Sequence, residues 1–148
     1  MLALTVKKGI YFWFNKGDDT LVYIGIALGV GGLRKRIVGQ HLNPKYLEFR
    51  PDKQSEKDKY QLEHPIRRLS KNGGVARCGI DKSAFRKAIG RKLKLKPGVD
   101  TVNYILENLY LKVFESEDIN FVKALEVELI NKYEPLFNTS HNPKKSHT

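Results

Sequence analysis

The sequence predicts an α+β fold, a small three-stranded and mainly antiparallel sheet flanked by helices. Three observations carry that expectation. Two short apolar runs, Ile10–Phe14 and Leu21–Ile26, flank the polar stretch Asn15–Asp19 with its glycine, which is the pattern of a β-hairpin. A third run, Leu109–Phe114 (LYLKVF), mixes aliphatic, aromatic and β-branched residues and reads as the third strand. Apolar residues recur at helical spacing in Ala84–Leu93 and again in the segment that begins at Phe121. With 148 residues, 41% of them hydrophobic and 29% charged, the chain suits one globular domain better than two.

Taken in order, Met1–Lys8 leads into the hairpin. Alternation puts Ile10, Phe12 and Phe14 on one face of the first strand and Tyr11 and Trp13 on the other. A register with Phe14 opposite Thr20 makes Tyr11 and Tyr23 direct cross-strand neighbours. Tyrosines are also ordinary strand residues that pack at sheet edges. The glycine-rich stretch Gly29–Gly32, where backbone can approach a nucleic acid closely, leads into a helix from about Gly32 to Leu42, ended by Asn43-Pro44. On that helix Leu33, Ile37, Val38 and His41 share one arc, while Arg36 shares a separate row with Gln40. Arg36 thus leaves the core side and can reach a phosphate or simply be solvated, and Arg34 and Lys35 before it are expected to contact the nucleic acid.

Lys45–Lys53 reads as a connecting loop and Ser55–Leu69 as a helix interrupted at His64-Pro65. Lys71–Gly74 reads as a turn, and Val75–Ile80 as a short strand or extended link. Asp81 or Ser83 then caps the helix Ala84–Leu93, with Phe85, Ala88, Ile89 and Leu93 inward and Arg86, Lys87, Arg91 and Lys94 on the remaining surface. Charge runs are usually solvated faces. Here, however, cations outnumber acids beyond what i,i+4 pairing explains, which points to a phosphate-contacting helix. Pro97-Gly98 stops it, Asp100–Glu107 forms a short helix, and Ser116 caps the closing helix, with Glu117 and Asp118 at its positive end. Residues 140–148 read as a mobile basic tail.

There are 27 Lys and Arg against 16 Asp and Glu, a formal charge of +11, which favours a polyanionic partner. Cys78 is the only cysteine, so neither an intrachain disulfide nor a thiolate zinc cluster is available. No stretch has the pattern of a signal peptide or a membrane span, and the expectation is a cytoplasmic protein with no membrane partner, nucleoid-associated if bacterial. Walker, dinucleotide-binding and nucleophilic Ser or Cys patterns are likewise missing, which leaves a small-molecule enzyme without support.

The closing helix holds an unexpected carboxylate. Phe121, Val122, Leu125, Leu129, Ile130 and Tyr133 form an apolar arc, and Glu126 projects inside it; Glu128 lies at its margin. A carboxylate placed there needs a cation: an arginine or lysine at the edge of the core, or a metal ion.

Gly9-Ile10-Tyr11 and Tyr23-Ile24-Gly25, followed by Arg36 early in the next helix, resemble the GIY-YIG nuclease domain. The closing segment is similar to that family's C-terminal motif, with Glu126, Leu129-Ile130, Pro135, Phe137 and Asn138. The resemblance covers the two ends of a domain spanning residues 1–139 and leaves about 45–98 as an insertion, expected to be helical and suited to target recognition. It implies a DNA endonuclease, with RNA a less favoured substrate, using one Mg²⁺ or Mn²⁺ held by Glu126. Arg36 would neutralise charge on the scissile phosphate, Asn138 would hydrogen-bond near the site, and one of Tyr11 and Tyr23 would orient or deprotonate the attacking water. Many members carry a histidine or tyrosine one helical turn after the arginine, where this chain has Gln40; His41 follows, about 140° further round from Arg36 on an ideal helix. A distortion at Gly39 would bring His41 into the site; a partly buried core histidine is the alternative. A non-catalytic nucleic-acid-binding module of the same fold remains the second reading.

Overall fold

The computed structural model describes residues 4–50, 66–68 and 77–143. Strands β1 (Gly9–Asn15) and β2 (Leu21–Ala27) form the hairpin, and β6 (Leu109–Glu115) pairs antiparallel with the other side of β1, giving the order β2-β1-β6. The register differs from the expected one. Trp13, not Tyr11, lies opposite Tyr23, and Tyr11 lies opposite Gly25: Phe14 pairs with Leu21 rather than Thr20, and an irregularity between Trp13 and Phe14 shifts the pairing by one residue more. The two tyrosines still share a face, two residues apart along the pleat, with ring centroids 6.3 Å apart. A Cβ at Gly9 would collide with the carbonyl oxygen of Phe114, so β6 can lie this close to β1 only because position 9 has no side chain.

Side-chain alternation splits the core across the two faces of this sheet. Ile10 and Ile24 pack against Val122 and Ile130 of the closing helix α4 (Ile119–Tyr133). Tyr11 and Trp13 pack on the other face with Leu33 and Ile37, with Phe85, Ala88 and Ile89 of α2 (Ala84–Leu93), and with Ile105 of α3 (Val99–Asn108). Helix α1 (Gly32–Arg36) runs directly into a π-helical turn, Ile37–His41.

Several further expectations are corrected here. Leu47–Arg50, read as loop, is β3, and Ile66–Arg68, read as the end of a helix, is β4; with β5 (Arg77–Asp81) they make a second antiparallel sheet, β3-β5-β4. The insertion is therefore not purely helical, and the rest of the expected Ser55–Leu69 helix, with the Lys71–Gly74 turn, lies outside the described residues. Asp118, one residue before the helix, caps α4 in place of Ser116, its carboxylate accepting from Phe121 N at 3.1 Å. Leu93, Val38, Phe121 and Tyr133, expected inward, are exposed, since each lies at the margin or the end of its helix's buried stripe. Asn142 is buried in what was expected to be a mobile tail, its amide donating to the carbonyls of Pro135 and Asn138, both at 2.9 Å. Among the described residues no helix is long and apolar enough to cross a membrane.

Candidate active site

β2 is an edge strand, and the C-terminal segment covers its edge as a further strand would. Phe137 N donates to Val22 O at 2.9 Å. The Asn138 side chain then completes the cover: its Oδ1 accepts from Ile24 N at 2.8 Å and its Nδ2 donates to Ile24 O at 2.9 Å. A primary amide carries an acceptor oxygen beside donor N–H groups, so it satisfies both backbone groups of a strand residue at once. This clamp sits beside Tyr23, and together with Glu126, Ile130, Phe137 and His141 they line a cleft of about 290 Å³.

Glu126 lies on α4 one turn after Val122 and one turn before Ile130, both buried. It is half-buried, as the apolar arc implied, and the ion pairs among the described residues do not include it. Burial raises its pKa, opposed by the positive influence of His141 and of Arg36. A carboxylate in that condition gains from a cation brought to the cleft.

On the buried side of the sheet Tyr11 lies across Gly25; a Cβ there would overlap the phenol ring and hydroxyl. The Tyr11 hydroxyl is hydrogen-bonded to His41 Nε2 at 2.6 Å, and His41 Nδ1 to Ser83 Oγ at 2.7 Å. The π turn explains how His41 gets there. Its 42-to-37 hydrogen bond, Leu42 N to Ile37 O at 2.8 Å, takes in one residue more than an α-turn. The fifth residue after Arg36 thereby comes round toward where an α-helix would present the fourth. His41 is buried, as the core reading had it, and the π turn brings it into hydrogen-bond contact with Tyr11.

The electrostatics tie these groups together. Burial pushes His41 down to about 3, helped by Arg36 and Arg86, so the imidazole is neutral at physiological pH. Burial is the first cause that pushes Tyr23 up to about 12, with Glu126 adding to it and Arg36 opposing. Tyr11 is raised well above its ordinary value by burial and then by Tyr23, again against Arg36. Arg36 is exposed, hydrogen-bonded through Nη1 to Gln40 Oε1 at 3.3 Å, and within electrostatic reach of all four groups.

Of the residues expected to contact DNA, one is misplaced. Arg86 is fully buried: its guanidinium pairs with Asp81 and donates from Nη1 to Gln40 O at 2.8 Å and Asn43 O at 2.6 Å. It cannot contact a phosphate. Asp81 also accepts from Gly98 N at 2.8 Å and Thr101 Oγ1 at 2.9 Å, and Ser83, not Asp81, caps α2. Arg34, Lys35 and Lys94 are exposed, while Lys87 and Arg91 are half-buried. Two residues join the site without having been expected there: Ser83 as a partner of His41, and His141 as a wall of the cleft. Ser83 carried a legible signal only for its cap; His64 and His147 lie outside the described residues.

Scans against protein-family models, curated proteins and solved structures find no match to this chain. The resemblance to the GIY-YIG domain therefore stands on its own residues.

Proposed function

We propose that this chain is a divalent-metal-dependent DNA endonuclease that hydrolyses phosphodiester bonds through a GIY-YIG-type site. One observation carries the reading. Tyr11, Tyr23, Arg36, His41, Glu126 and Asn138, separated by up to 127 positions in sequence, gather around one strand edge and are linked by hydrogen bonds, a shared cleft or mutual charge. A sheet edge assembled only for stability needs neither an exposed arginine within electrostatic reach of a buried and a partly buried phenol nor a half-buried carboxylate with no ion-pair partner among the described residues.

The donor set fits a hard cation. Among the described residues no three His, Cys, Asp or Glu side chains form a cage. One carboxylate completed by water and a phosphate oxygen is the usual way in which Mg²⁺ is held. Glu126 would hold the ion, Mg²⁺ or Mn²⁺, which when bound supplies Lewis acidity at the scissile phosphate. Arg36, exposed on α1 and held by Gln40, neutralises charge that builds on the nonbridging oxygens. Tyr11 and Tyr23 are the phenols able to orient or deprotonate the attacking water; with both raised by burial, their ionised forms need the positive charges of the site. Asn138 holds β2, and hence Tyr23, in place. The exposed cations Arg34, Lys35 and Lys94, with Lys87 and Arg91, supply a positive surface for the duplex backbone.

Cleavage of supercoiled plasmid with Mg²⁺ or Mn²⁺, wild type beside Glu126→Gln, tests this. Nicking that requires metal and falls at least 100-fold in the variant is the expected outcome. Salt-sensitive binding by both proteins across several plasmids, with no cleavage by either, would instead identify a binding module.

A further inference from the structure

The turn from β2 into α1 holds out Val30, the most exposed large apolar side chain among the described residues, at 93%. A single exposed valine is ordinary on a protein surface; its setting is what distinguishes this one. The turn is fixed by its backbone. Gly32 N donates to Gly29 O at 3.1 Å, and Gly31, with φ 90° and ψ −14°, takes the corner of a type II turn that favours glycine. Behind it Leu33 N and Arg34 N donate to Lys7 O and Thr5 O at 2.9 and 2.8 Å. Val30 is thus held in water by a defined scaffold and gains almost nothing from the fold.

Two hollows flank this crest. One, of about 300 Å³, is lined by Val6, Gly31, Arg34, Lys35, Val38 and Gly39; the other, of about 120 Å³, has Val30, Lys35, Arg36 and Gln40 among its walls. Arg34 therefore stands on one flank, Arg36 on the other, and Lys35 borders both. No acid among the described residues lines either hollow. The crest is also slim, because three of the four turn residues are glycine and only Val30 carries a side chain. An apolar crest with cations down both sides matches a groove walled by two rows of phosphates. The major groove of B-DNA, about 12 Å wide, admits an α-helix, whereas the minor groove, about 6 Å wide, suits a narrow turn. Apolar side chains that enter the minor groove wedge against its base steps and bend the duplex. Arg36 ties the crest to the candidate site, since its charge also reaches Tyr11, Tyr23 and Glu126.

We propose that the Gly29–Gly32 turn enters the minor groove of duplex DNA beside the scissile phosphate, with Val30 against the base edges and Arg34 and Arg36 on the phosphates to either side. The place of the scissile phosphate rests on the nuclease reading; the groove contact itself does not require cleavage. Because the minor groove offers a degenerate pattern of donors and acceptors, the contact selects duplexes by groove shape and deformability, and not by base sequence.

The experiment measures binding of wild type and Val30→Ser to a short A·T-rich duplex in chelator, across a salt series, with the minor-groove ligand netropsin as competitor. Val30 touches so little of the fold that Val30→Ser should keep the wild-type thermal midpoint. Its affinity is expected to fall about 10-fold, with the slope of log K against log salt unchanged because no charge is removed. Lys35→Ala should show the complementary pattern, a slope smaller by about 1. Netropsin should displace the wild type. A Val30→Ser protein that binds as tightly as wild type overturns the proposal, as does a wild type that netropsin leaves in place. Undiminished DNA binding by a Val30→Ser protein that sediments as a smaller species than wild type would make the crest a contact between copies of the chain, which also overturns it. A wild type that meets the binding expectations and cuts no DNA sinks the nuclease reading alone; one that binds no duplex sinks both.

Discussion

A methyl group at position 25 would occupy the space of the Tyr11 phenol, and this is the physical content of the glycine in Tyr23-Ile24-Gly25. Gly25→Ala is expected to push the ring off His41 and to cost about 1–3 kcal/mol, the range for an overpacked core, as measured by urea unfolding. His41 makes a second residue-scale prediction. Its folded-state pKa of about 3 lies below the ordinary value of about 6.5, so the unfolded chain binds the proton more readily. The stability tied to neutral His41 is therefore complete above about pH 6.5 and is lost as pH falls toward 3, by at most about 1.4 kcal/mol per pH unit. Arg36 and Arg86 oppose its protonation, and Tyr11 and Tyr23 are neutral throughout that window. Urea midpoints between pH 7 and 5 should fall in wild type and flatten in His41→Gln. At Glu126 the sign is reversed. Burial disfavours its charge, so Glu126→Gln should leave the thermal midpoint at pH 7 unchanged or raised while removing metal-dependent cleavage.

At the scale of elements, two polar devices hold the site together. The Asp81–Arg86 pair joins β5, α2, the start of α3 and the end of the π turn. Removing one partner leaves a buried charge, so Arg86→Ala should cost about 3–5 kcal/mol and lower the denaturant midpoint sharply. A surface phosphate contact would have predicted the reverse: an unchanged midpoint and weaker DNA binding. The second device is the Asn138 amide on Ile24. Asn138→Ala strands two backbone groups at the edge of β2 and should cost about 1–3 kcal/mol, with faster hydrogen exchange at Ile24 as its local signature. The hairpin, β6, α2 and α4 were legible because each carries a periodic apolar pattern or a turn. β3 and β4 were not: Leu-Glu-Phe-Arg and Ile-Arg-Arg are short and polar, and it is pairing with β5 that makes them strands. The burial of Arg86 was hidden for a related reason. A helical wheel shows which way a side chain points and not that Asp81 and two carbonyls wait there.

For the molecule as a whole, the excess of 11 positive charges is a statement about partners, and salt dependence reads it. Replacing Arg34 or Lys35, both exposed on α1, with alanine should weaken DNA binding and reduce the slope of log K against log salt by about 1 for each phosphate no longer neutralised. The same comparison at Lys87 and Lys94 decides whether α2 belongs to the interface. An unchanged slope removes it.

Determined by the sequence alone were the three-stranded sheet, the two-sided burial that follows from strand alternation, and the choice of six candidate site residues. These depend on local periodicity and on short motifs, which a linear reading can see. The tertiary structure decided the rest. It set the register that places Tyr11 on Gly25, and the π turn that brings His41 onto Tyr11. It put Arg86 in the core and joined Ser83 to the site. Each of these is settled by a partner distant in the chain, because hydrogen-bond satisfaction and close packing are properties of what surrounds a side chain, and the surroundings exist only once the chain has folded.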